Sequence, residues 1–161
     1  MKLGERGTRY FAMEKLKCYD IFLTHAWRFH DDWKKFSELL DKAPGVTWRN
    51  FSLPWHDPAM SVNTDVGGRF IRDFLETQII PVHAVVLLTG VYSIVSARRW
   101  FDMEVEMAQK YHKPLIGVPM LGETSVPDEV ADLCDASCDW DAMQLLTTID
   151  QVRNLPKYSR V

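Results

Sequence analysis

Short apolar runs alternate with stretches of helical period along most of this chain. Tyr19–Thr24 is an apolar run rich in β-formers and predicts a buried strand. Trp33, Phe36, Leu39 and Leu40 recur at helical spacing and predict a helix over Asp31–Lys42, stopped by Pro44-Gly45. Val46–Ser52 alternates, as a second strand would. Leu53–Asp65 contains Pro54 and Pro58 and has no period, so it reads as a loop over one end of a sheet. A helix follows over Val66–Ile80, with Phe70, Phe74 and Ile79 among its apolar positions, and Pro81 marks its end. Ala84–Leu88 is the clearest strand, and its unbroken apolarity predicts burial on both faces. Pro114–Val118 is a fourth strand. Val126–Glu129 opens a short helix with Pro127 near its first turn. Ser137–Trp140 is a short edge strand, and Asp141 caps a last helix running to about Arg153. No internal repeat or low-complexity segment interrupts this order.

Strands alternating with helices at this spacing imply an α/β fold, a mostly parallel sheet with helices on both faces. Five strands favour the flavodoxin-like order 2-1-3-4-5. Residues 18–153 then form one three-layer domain. Residues 1–17 form an N-terminal arm whose Tyr10, Phe11, Met13 and Leu16 can pack on the body or on a partner chain. Residues 154–161 form a polar tail. Ligands in such sheets bind outside the carboxyl ends of the strands, near the switch point. That edge gathers His25, Ala26 and Trp27 after the first strand, and Tyr92 and Ser93 after the third. The 53–65 loop is placed to cover them.

The next helix, Ser96–Lys113, carries an anomaly. Projected at about 100° per residue, Trp100, Met103, Met107, Ala108 and Tyr111 form one apolar arc. Asp102, Glu106, Gln109 and Lys110 lie opposite. Glu104 falls inside the apolar arc, one turn after Trp100. A carboxylate on a buried face is costly unless paired, hydrogen-bonded or set in a cleft. Glu104 is therefore the leading catalytic candidate. The plainer alternative is a buried glutamate satisfied by Arg98 or Arg99.

The chain has 161 residues, ample for one domain, and 47% hydrophobic residues, enough for a proper core. A net charge of −3 gives no sign of a nucleic-acid surface. No apolar run approaches the length of a membrane span, and the charged N-terminus lacks the apolar stretch of a secretory signal. Three cysteines fit reduced thiols better than a disulfide framework, so the expected location is cytoplasmic.

Other candidates each have a plain alternative. Trp27 and Trp100 offer flat faces for a nucleobase or nicotinamide ring, although tryptophan also serves the core. His25 can donate to a phosphate or ribose, or merely cap a turn. Asp57, beside His56, can reach a ligand from the loop, or fix that loop through an Asx-turn. Cys134 and Cys138 with Asp135 and Asp139 resemble half of a metal site, but no second pair completes it, so no metal is expected. There is no GxGxxG, Walker A or GxSxG signature, and Gly67-Gly68 is too short for a phosphate loop.

Four ordered stretches carry a family resemblance: Tyr19–Trp27, Asn50–Pro58, Ala84–Tyr92, and Arg99–Glu104 followed by Lys113–Val118. Together they resemble the TIR-like proteins of bacterial Thoeris antiphage systems, a branch of the TIR superfamily. The resemblance implies a flavodoxin-like fold and cleavage of NAD at the nicotinamide–ribose bond. It implies Glu104 as the catalytic glutamate and Trp100 as its tryptophan. His25, Ala26 and Trp27 match the first-strand loop; Asp57, Tyr92 and Ser93 join the substrate-binding set by their expected place at the same sheet edge, not through the resemblance. NAD is then a substrate, and no cofactor is needed. The product would be a cyclic ADP-ribose-type signal that activates a separate effector protein after an unknown phage trigger, with plain hydrolysis as the simpler outcome. A homo-oligomer is a further expected partner state; nucleic acid and membrane are not. The rival expectation is a non-catalytic TIR-like module for protein interaction or nucleotide binding.

Overall fold

The computed structural model describes residues 15–24, 31–52, 65–92, 95 and 98–158. In chain order the elements are β1 (Cys18–Leu23), α1 (Asp31–Asp41), β2 (Thr47–Asn50), α2 (Asp65–Ile79), β3 (Ala84–Leu88), α3 (Arg98–Lys110), β4 (Leu115–Val118), α4 (Asp128–Ala131), β5 (Ala136–Ser137) and α5 (Ala142–Arg153). The strands form one five-stranded sheet in the order β2-β1-β3-β4-β5. Every pairing is parallel. This is the α/β, flavodoxin-like architecture that the alternation of patterns implied.

The period-2 alternation of strand side chains divides the core in two. Phe22, Val85, Leu87 and Leu115 face one way and bury Ile71, Leu75 and Ile79 of α2, Phe101, Met107 and Ala108 of α3, and Val130 of α4. Tyr19, Ile21, Leu23, Ala84, Val86, Leu88, Ile116 and Val118 face the other way, onto Phe36 and Leu40 of α1 and Leu145, Leu146 and Ile149 of α5. β3, in the middle, is buried at every position. β2 lies at the edge and is mostly exposed, which suits its polar TWRN sequence.

Element ends follow from local chemistry. Helix α3 stops in a Schellman motif, shorter than the Ser96–Lys113 span its period suggested. His112 takes a left-handed φ of 53°. Its N–H donates to the Gln109 carbonyl at 3.2 Å, and the Lys113 N–H donates to the Ala108 carbonyl at 2.8 Å. Pro114 then prevents further helix. β5 falls at Ala136–Ser137, earlier than the expected Ser137–Trp140. Its register against Ile116 and Gly117 is set by the Asp135 N–H donating to the Leu115 carbonyl and the Cys138 N–H to the Gly117 carbonyl. Trp140 instead turns away and donates its indole N–H to the Pro119 carbonyl at 2.8 Å. Asp141 caps α5 as expected, accepting from the Gln144 N–H at 2.8 Å. Two ion pairs, Arg72–Glu106 at 3.0 Å and Lys110–Glu76 at 2.6 Å, cross from α2 to α3 on the outer surface.

Residues of the arm and tail that are described touch the domain. Leu16 packs on the α1/α5 core, and its N–H reaches Asp150. Lys157 and Tyr158 hold Asp135. No described helix is long and apolar enough to cross a membrane.

Candidate functional site

The carboxyl ends of the strands are stitched together by buried hydroxyl side chains. Thr24 follows β1 and its hydroxyl accepts the Leu88 N–H at 3.0 Å, tying β1 to β3. Ser52 follows β2 and accepts the Leu23 N–H at 2.8 Å. Thr89 follows β3 and donates its hydroxyl to the Val118 carbonyl at 2.8 Å, tying β3 to β4. All three are buried. Each makes a hydrogen bond to the backbone of a neighbouring strand at the carboxyl edge of the sheet. Sequence reasoning passed over these residues. The available signal was a small hydroxyl residue within two positions of the end of each of three strands.

From this edge the chain turns through Val91 and Tyr92, whose N–H groups donate back to the carbonyls of Leu88 and Thr89. The Tyr92 ring packs edge-on to Phe101 of α3, with centroids 5.3 Å apart. Arg98 also lies over that ring, its guanidinium carbon 3.8 Å from the centroid. Arg98 also donates from Nε to the Tyr92 carbonyl at 3.0 Å. The Tyr92 hydroxyl donates to Glu129. That hydrogen bond, with some burial, raises the phenol above its ordinary pKa.

These contacts bear on one alternative for Glu104, a pairing with Arg98. Arg98 is committed to Tyr92, and Arg99 is exposed on α3. No ion pair to Glu104 exists among the described residues. Glu104 is only 2% exposed, in a helix that also buries Phe101, Met103, Val105, Met107 and Ala108. Its Oε2 has no hydrogen-bond partner among the described residues. Burial pushes its pKa well above the ordinary value. Burial disfavours the ionised form of a carboxyl, because taking the charge out of water costs on the order of several kcal/mol. Trp100, one turn earlier, is half-buried against the same core.

The apolar arc is wider than the helical projection gave. Phe101 and Val105 also lie in it, so Glu104 sits near its centre, between Phe101 and Ala108. The chain matches no family model and no curated protein. Of the residues expected at the site, the structure thus places Tyr92, Trp100 and Glu104. His25, Ala26, Trp27, Asp57 and Ser93 lie outside the described residues.

The two cysteines of the half metal site are separated by the sheet. Cys134 packs with the α2/α3 core and Cys138 with the α1/α5 core. Burial raises their thiols to about 11 and about 12. No group of potential metal ligands occurs among the described residues.

Proposed function

We propose that this chain is a cytoplasmic TIR-like antiphage enzyme that breaks the nicotinamide–ribose bond of NAD and releases a cyclic ADP-ribose-type signal. One observation supports the reading above the others: a glutamate buried to 2% exposure, with an oxygen left unpartnered among the described residues, in the helix that starts beyond the carboxyl end of β3. A side chain held at such cost is a functional candidate.

The chemistry needs a single carboxylate. Nicotinamide departs from a pyridinium and requires no general acid. The transition state resembles the oxocarbenium ion of glycoside hydrolysis. An ionised Glu104 would stabilise that charge, and most strongly in a dry site. Burial favours the neutral carboxyl in the absence of substrate. A bound pyridinium would bring the missing positive charge and favour ionisation. Trp100, half-buried one turn away, is the ring-positioning candidate. If water attacks, the product is ADP-ribose; if an adenine nitrogen of the same substrate attacks, the product is cyclic. The product would then reach a separate effector.

The same burial favours a second reading. A carboxyl exposed by only 2% touches no substrate unless the site opens, as expected of a non-catalytic module or of an enzyme silent at rest. Mass spectrometry of small molecules from cells expressing the chain, with and without phage, separates these. Loss of NAD with a new ADP-ribose isomer, absent in Glu104→Gln, is the expected result. Unchanged NAD during an infection that triggers defence sinks the enzyme reading.

A further inference from the structure

The amino ends of the strands carry a second concavity, across the sheet from Thr24 and Thr89. It measures about 210 Å³ and is lined by Gln109, His112, Lys113, Asp135, Lys157 and Tyr158, with Leu115 and Leu133 as its apolar part. Three connections meet there: the end of α3, the entry to β5 and the turn after α5. The volume equals roughly seven waters at ~30 Å³ each, the size of a small acid rather than a dinucleotide.

Its charges do not balance. Asp135 is saturated by the Lys157 ammonium at 2.7 Å, the Tyr158 hydroxyl at 2.7 Å and the Leu115 N–H at 2.9 Å. Burial alone would raise that carboxyl, yet these donors hold it below its ordinary range, so it stays an anion fully engaged with its own partners. Lys113 is half-buried, and its ammonium has no ion pair or hydrogen bond among the described residues. A desolvated cation without a counter-ion is unfavourable and attracts one. Lys113 is also held in place. The Schellman motif fixes its backbone on one side, and on the other the Pro114 carbonyl accepts the Val85 N–H at 2.9 Å. The backbone that carries Lys113 into the cavity is thus fixed on both sides.

We infer that this cavity is a binding site for a small oxyanion, a carboxylate or a phosphate group, with Lys113 as its charge partner and His112 and Gln109 as further hydrogen-bonding groups at its rim. The site is independent of the NAD reading, because it uses none of the residues proposed for that chemistry.

The test is an NMR titration of the full isotope-labelled chain with sodium phosphate and, separately, with sodium acetate, at constant ionic strength set by sodium chloride. The amides of His112, Lys113, Leu115 and Asp135 are expected to shift saturably with at least one anion. Phosphate alone would point to phosphate esters, and acetate alone to carboxylic acids. Lys113→Met keeps the alkyl stem and should weaken binding about tenfold or more. Lys113→Arg should retain most of it. Absence of a saturable shift with both anions, or equal binding by a folded Lys113→Met chain, overturns the assignment.

Discussion

The raised pKa of Glu104 has a measurable consequence for stability. Its folded-state pKa lies well above the ordinary 4.5, and burial is the cause. Below pH 4.5 the side chain is protonated in both folded and unfolded states and contributes no pH dependence. As pH rises past that value, the unfolded chain releases the proton and the folded chain keeps it. The folded state then binds more protons, and stability falls by up to about 1.4 kcal/mol per pH unit until the folded pKa is reached. Glu104→Gln removes this term while keeping size and polarity. Urea unfolding of both proteins from pH 4.5 to pH 8 isolates it, because every other titrating group cancels in the difference. The variant should gain on the wild type as pH rises, by up to about 1.4 kcal/mol of unfolding free energy per pH unit, read as a rising difference in urea midpoint. A stability difference that stays flat over this range would mean that Glu104 ionises at an ordinary pKa, and the argument from burial would fail.

Other expectations follow from single contacts. If Glu104 acts as proposed, NAD turnover by an activated sample should rise with pH above the ordinary glutamate range, since only the ionised carboxyl stabilises the oxocarbenium ion; a flat profile with chemistry rate-limiting would contradict this. Gly117→Ala would place a Cβ 3.1 Å from the Cys134 sulfur and 3.2 Å from Val126, and should destabilise by about 1–3 kcal/mol in urea unfolding. Tyr19→Phe strips buried Asp150 of a 2.7 Å hydrogen bond and should cost about 1–3 kcal/mol in the same assay. His112→Gly should stabilise by roughly 1 kcal/mol, because glycine adopts the left-handed φ of 53° without a Cβ clash; a lower melting temperature would count against the Schellman assignment.

Local pattern alone was sufficient for the α/β class, the order of elements and the anomaly of Glu104. Apolar runs and helical spacing act within a few residues of each other, and a continuous apolar strand such as Ala84–Leu88 has few ways to be buried other than in the middle of a parallel sheet. What pattern could not settle depends on partners distant in sequence. Arg98 was as plausible a partner for Glu104 as for anything else, until the turn after β3 brought the Tyr92 ring and carbonyl beneath it. β5 took its register from Leu115 and Gly117, some twenty residues earlier, and so began at Ala136. Thr24, Ser52 and Thr89 look like ordinary polar residues until parallel pairing presents each with a backbone group on a neighbouring strand. The uncompensated charge of Lys113 is tertiary in the same sense. Asp135 lies near enough to line the same cavity, but Leu115, Lys157 and Tyr158, drawn from two other connections, already occupy it. Periodicity is a property of one segment, whereas the satisfaction of a buried polar group is decided by whichever segments the fold places against it.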